Sequence, residues 1–148
     1  MYQNPENLYG RGNNDFGPEP FIIDMDWASR QNPNYRTALW TGAYLQITLM
    51  SIPVGGDIGL EIHPDTDQFI RIEQGCALVM FGKTKDTVKN IRRVSSHDAI
   101  AVPAGTWHNI VNCENIPLKL YSVYAPPHHP FGTVQRTKED AEKPYVIK

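Results

Sequence analysis

Only two cysteines, Cys76 and Cys113, occur in 148 residues, and they form no redox or metal-ligand motif. That scarcity argues against a disulfide-stapled secreted scaffold and makes a cytoplasmic protein with two reduced thiols the default. A disulfide between them stays open at this level. Read as thiols, the two are most simply small buried hydrophobes. No apolar run approaches the roughly 20 residues that span a bilayer as a helix, so the sequence gives no case for a membrane protein. Residues 1–20 are rich in Asn, Pro, Gly and charge and lack the apolar stretch of a signal peptide. Net charge is −2, with no basic stripe, and electrostatics therefore give no case for nucleic acid. Sustained helical periodicity is missing everywhere except Thr137 to Glu142, where Thr137 is placed to cap a short helix with Asp140 at its third position.

What is present is a strand rhythm. Twelve prolines and eleven glycines punctuate the chain, and turn signals recur about every eight to twelve residues, the spacing of a sandwich or barrel. The runs read as strands are Thr37–Thr41, Leu45–Ile52, Ile58–His63, Gln68–Glu73, Cys76–Phe81, Lys89–Val94, Ala99–Val102, Trp107–Asn112 and Leu118–Tyr124. Asp26 to Arg30 reads as one helical turn. The length suits one domain. Residues 1–20 read as an irregular arm, 21–126 as the barrel, and 127–148 as a lid with a short helix. Trp40, Tyr44, Phe69 and Trp107 read as core or cavity lining.

The chemistry concentrates in two segments. Glu61 and His63 are two apart, so on a strand they share a face. Pro64 to Asp67 reads as a tight turn, and a hairpin there would return Gln68 to the side of His63. Further on, Pro103 and Gly105 mark a turn, and the strand after it presents His108. If that strand faces the interior, two imidazoles, a carboxylate and an amide converge, a first shell for a divalent first-row metal such as Mn, Fe, Ni or Zn. A buried carboxylate facing two imidazoles needs a cation or protons to offset its desolvation.

These residues resemble the cupin superfamily. Its first motif runs Gly, five residues, His, one residue, His, three or four residues, Glu, six residues, Gly; here Gly55, Glu61, His63, Gln68 and Gly75 stand at those intervals. Its second runs Gly, five residues, Pro, one residue, Gly, two residues, His, three residues, Asn; Pro103, Gly105, His108 and Asn112 match, and His97 stands in the place of the first Gly. The resemblance implies an all-β fold, the double-stranded β-helix or jelly roll. It also implies Glu61, His63, Gln68 and His108 as metal ligands. Two positions depart from the motif: Glu61 replaces a His and Gln68 replaces the Glu, so the carboxylate has moved and the formal ligand charge stays at −1. A narrower resemblance, through residues 61–68 and 124–138, is to small bacterial and archaeal cupins often labelled mannose-6-phosphate isomerase.

Three functions fit such a site. The first is a metal-dependent isomerase, epimerase or lyase acting on a small polar metabolite such as a sugar or sugar derivative. Its proton-transfer candidates are Glu61, Tyr124 and His128. The alternatives are a metal-dependent dioxygenase and a non-catalytic module that binds a small ligand. His128 and His129 lie in a Pro-bounded loop and read as exposed, with a lid over the barrel mouth as the other reading. Gln46 and Thr48 share one face of their strand, and their direction stays open. His97 reads as a turn residue. Arg136 and Lys138 read as surface residues. Open sheet edges lead to an expected homodimer.

Overall fold

A computed structural model describes residues 15–143, and the strand rhythm becomes nine strands, two short α-helices and one turn of 3-10 helix at Lys85–Thr87. The strands and α-helices are α1 (Met25–Gln31), β1 (Arg36–Thr41), β2 (Gln46–Ile52), β3 (Asp67–Gln74), β4 (Cys76–Gly82), β5 (Lys89–Ser95), β6 (Ala99–Val102), β7 (Trp107–Asn112), β8 (Leu118–Ala125), β9 (Val134–Gln135) and α2 (Lys138–Glu142). A six-stranded sheet has the order β6-β3-β8-β2-β1-β9 and a three-stranded sheet the order β5-β4-β7. All pairings are antiparallel. This is the all-β jelly roll that the sequence led us to expect. The part of the expected N-terminal arm before residue 15 lies outside the described residues.

The alternation of each strand decides which side chains line the interior. In β2, Met50 and Ile52 are buried between the sheets with Ile70 and Ile72 of β3, Val79 of β4, Ile110 of β7 and Leu120 of β8. The opposite face of β2 does not go to water. Leu49 packs outward with Leu39 of β1 against Ala28 of α1, with Ile47 and Tyr121 beside them. Removing these two apolar clusters from water is the main term holding the two layers and the helix together. Helix α1 starts where Asp24 accepts a hydrogen bond from Trp27 N at 3.0 Å and carries an Asp26–Arg30 pair one turn apart. Thr137 caps α2 by accepting from Asp140 N at 3.2 Å, as its sequence position led us to expect.

The buried Asp15 ties the segment before α1 to the rest. Its carboxylate accepts from Gly17 N, Thr41 N, Thr41 Oγ1 and Gly132 N, joining that segment to β1 and to the loop after β8.

Four sequence expectations need correction. Ile58–His63 is not a strand. It touches β7 only through isolated bridges at Asp57 and Glu61, because Gly59 between them takes a positive φ of 89°, incompatible with a continuous ladder. Pro64 to Asp67 is not a hairpin turn. Residues 57–61 lie beside the three-stranded sheet, whereas Gln68 belongs to the six-stranded one, so the segment crosses between layers. Tyr44 and Phe69 are exposed rather than core. The cysteines are not buried hydrophobes, since Cys113 is exposed and Cys76 half-buried, both with free thiols. The two-residue β9 was not anticipated; its pairing partner, Arg36, lies 99 residues earlier in sequence.

His97 has a φ of 79°. That is the left-handed region, which glycine occupies without a Cβ clash, and it explains why the second motif has Gly at this place.

Candidate metal centre

The centre is assembled by backbone pairing. Glu61 N donates to His108 O at 3.0 Å and His108 N to Glu61 O at 2.9 Å. This reciprocal exchange sets the two residues directly opposite each other, with neighbouring side chains. His63 follows two residues later, and its carbonyl accepts from Gly105 N at 2.9 Å, so the turn that opens β7 also holds the end of this segment.

The side chains then converge on one carboxylate oxygen. Glu61 Oε1 lies 3.2 Å from His63 Nε2 and 3.2 Å from His108 Nε2. The donor atoms of all three residues lie within 4.8 Å of one another. His108 Nδ1 sits 2.9 Å from Thr106 O. A carbonyl only accepts, so Nδ1 carries the proton, and in the neutral ring the Nε2 lone pair faces the carboxylate. A cation has to lie between such groups, either a proton or a metal ion.

His63 points the same way. Both of its ring nitrogens are buried without a hydrogen-bond partner, its Nε2 being near Glu61 but poorly aligned with it. The fit to a metal is good. First-row ions bind N and O donors at about 2.0–2.2 Å, which separates donors at right angles by about 3 Å. Burial pushes the Glu61 carboxyl up, but the His108 and His63 rings beside it override that and hold the group well below the usual carboxylate range.

Gln68 comes from the opposite layer. It is buried on β3, paired with Tyr124 of β8 and Val102 of β6. Its Nε2 donates to Ser122 Oγ at 3.1 Å, while Oε1 is buried without a partner. The amide is thus oriented by its nitrogen, and its oxygen remains available as a donor atom. Tyr124 is 1% exposed, with its ring 5.6 Å from that of His63. Burial pushes its hydroxyl up to about 12, so it keeps its proton.

The loop after β8 folds over this cluster. The His128 ring centre lies 4.2 Å from that of His63 and 5.6 Å from that of Tyr124, although its outer side is exposed. The reading of His129 as an exposed residue fails, because it is half-buried with Nε2 3.4 Å from Tyr124 Oη. Burial lowers both rings, helped by the neighbouring His63 at His128 and by Arg36 at His129. Gln46 anchors the loop. It is fully buried; its Oε1 accepts from His128 N and His129 N at 3.2 and 2.9 Å, and its Nε2 donates to His129 O at 2.8 Å. Gln46 and Thr48 therefore face inward.

Sequence reasoning missed two further groups. Arg36 is buried, 5% exposed, and borders a cavity of about 490 Å³ with Glu61, His128, His129 and Lys138. Taking β1 to begin at Thr37 hid it, although it alternates with the inward-facing Ala38. Lys138, read as a surface residue, is instead half-buried at the cavity and pairs with Asp57. Arg136 is exposed as expected, and so is His97.

Comparison with known proteins bears on the family and the fold. A family model described as a cupin domain matches residues 48–124. YrkC of Bacillus subtilis (strain 168), an uncharacterized protein, is 60% identical over 127 residues, covering 86% of this chain and 68% of its own. L612 of Acanthamoeba polyphaga mimivirus, also uncharacterized, is 43% identical over 115 residues, 77% of this chain and 70% of its own. The crystal structure of BH2720 from Bacillus halodurans superposes with a TM-score of 0.85 at 54% identity, covering 86% of this chain and 97% of that one.

Proposed function

The chain belongs to the cupin family, and we propose that Glu61, His63, His108 and Gln68 hold one divalent transition-metal ion in an enzyme acting on a small polar metabolite. The observation that carries this reading is the single carboxylate oxygen 3.2 Å from two imidazole nitrogens. The unpartnered nitrogens of His63 and the unpartnered Oε1 of Gln68 support it, since buried polar atoms without partners are costly. Two imidazoles with oxygen donors suit Mn, Fe(II), Ni or Zn.

A bound ion of this kind supplies Lewis acidity to a substrate oxygen. The chain's own groups supply the rest. Glu61 is assigned to the ion rather than to proton transfer, because its Oε1 is committed to both histidines. Tyr124 holds a proton on Oη and donates a hydrogen bond to developing negative charge on the substrate. His128, edge-on to His63, takes a proton from carbon next to the polarised oxygen. Residues 126–130, pinned by Gln46, exclude water from above. Proton removal and return at such a carbon is isomerase or epimerase chemistry, and a sugar derivative is a suitable substrate.

The test is elemental analysis of protein purified without added metal. About one divalent ion per chain is expected in the wild type, with its loss in both His108→Ala and Gln68→Ala. Retention of metal in both variants would refute the ligand assignment. Loaded protein is then assayed by NMR for solvent deuterium entering sugars and sugar acids; incorporation reduced at least a hundredfold in His128→Ala is expected. Incorporation by that variant at the wild-type rate would remove His128 from proton transfer.

A further inference from the structure

One buried charge beside the proposed metal site has no counterion among the described residues. Arg36 opens β1 and turns into the barrel, where it is 5% exposed. Its Nη1 donates to Gln135 Oε1 at 2.6 Å, and Nη2 makes a long contact with Met50 Sδ at 3.9 Å. The guanidinium carbon lies 5.3 Å from the centre of the Tyr35 ring, and Nε has no partner among the described residues. An amide oxygen, a thioether and a ring face are all neutral. The other cation at this cavity, Lys138, is already paired with Asp57. A buried charge is expensive unless an opposite charge meets it, and unlike a buried Lys or His an arginine does not escape by losing its proton.

Arg36 and Glu61 border the same cavity, whose volume of about 490 Å³ suits a small metabolite. With a divalent ion at the triad, two positive charges from the ion and one from Arg36 face two carboxylates at the cavity, Glu61 and Glu142, which leaves one positive charge over. The balance is positive, and a neutral sugar would leave it so.

We propose that the substrate is a small anion whose carboxylate or phosphate group is held by Arg36 while its reacting end faces Glu61, His63 and His108. The guanidinium is a planar fork, and both carboxylate and phosphate match it. This deepens the metal-enzyme reading above and rests on it for the position of the reacting end. It narrows the substrate from polar metabolites in general to acids, a sugar acid or sugar phosphate among them.

The experiment measures binding of malonate, inorganic phosphate and the neutral malonamide to the full chain by calorimetry, with metal content measured on the same samples. Malonate or phosphate is expected to bind wild type saturably at one site per chain, at least tenfold more tightly than malonamide. The tighter of the two anions identifies the acid group. Arg36→Gln is expected to weaken anion binding at least tenfold while keeping its metal, and Arg36→Lys to recover part of the loss. Should Arg36→Gln not fold, Arg36→Met keeps the length of the stem and carries the same expectation. Malonamide binding as tightly as the anions, no anion binding to wild type, or an Arg36→Gln dissociation constant within threefold of wild type would overturn the assignment. The two proposals fail separately. Metal present with anion binding indifferent to Arg36 refutes the anion site alone. Metal absent with anion binding lost in Arg36→Gln refutes the metal reading and keeps Arg36.

Discussion

Replacing Gln46 by leucine tests whether one buried amide holds the loop that covers the centre. The side chain is fully buried and meets three backbone groups of that loop: two N–H groups, at His128 and His129, and the carbonyl of His129. Leucine has nearly the same volume and satisfies none of them. A buried polar group left unpaired costs about 1–3 kcal/mol, and the lower figure applies here because the outer side of the loop reaches water. Three groups give about 3 kcal/mol. In a domain of this size each kcal/mol moves the melting temperature by about 2–4 °C, so a fall of roughly 6–12 °C is expected. Thermal unfolding followed by circular dichroism reads the total. Hydrogen exchange at the His128 and His129 amides reads the local part and should quicken.

Gln46→Glu separates hydrogen bonding from volume. It keeps the acceptor for both N–H groups, but sets a carboxylate oxygen where the amide nitrogen now donates to His129 O at 2.8 Å. That variant should be destabilised at neutral pH and recover as pH falls and the carboxyl gains a proton to donate. Gln46→Leu melting within about 0.5 kcal/mol of wild type, with both amides as well protected as before, would refute the anchoring role. It would also remove the physical reason for placing the His128 ring against His63.

Two further predictions concern charge and backbone. Asp57 sits beside Lys138 and Asn109; burial alone would raise its carboxyl, but hydrogen bonds from those two groups lower it below 3.8. A depressed carboxyl stabilises the fold above its unfolded value, and that contribution is lost as pH falls through the folded one. Asp57→Asn should therefore flatten the acid limb of a stability-against-pH curve below about pH 4, and an unchanged limb would exclude the pair as its source. His97→Gly relieves a positive φ of 79° and should stabilise by about 1 kcal/mol, or roughly 2–4 °C, in a urea or thermal melt; a destabilised variant would mean that the His97 side chain makes a compensating contact.

The sequence carried the fold through its turns and carried three of the candidate metal-site residues through spacing, and the two kinds of signal differ in reach. Glu61 and His63 share a face because they are two residues apart, and this holds in the short extended piece they occupy even without a regular strand. His108 joins them because Pro103 and Gly105 start β7 one turn before it. Gln68 is buried on β3, but its expected route to the site, a hairpin with His63, was wrong. Local pattern shows that a chain reverses at Pro64 to Asp67; it does not show whether the reversal pairs two strands of one sheet or passes between sheets. The groups left unread, Arg36, Gln46 as an anchor, and Lys138 with Asp57, share a property. Each acts through a partner more than 80 residues away, as Gln46 does with His129, Arg36 with Gln135 and Lys138 with Asp57. Such pairs follow from closure of the barrel, and no short-range periodicity encodes them. The protein places its fold in local turns and its candidate ligands in two short motifs, while the charge that would select a substrate depends on β1 meeting β9, with Arg36 and Gln135 99 residues apart in sequence. Substitutions in β9 should therefore alter which anion binds before they alter whether a metal does, because β9 supports Arg36 and pairs with β1, which carries none of the four proposed ligands.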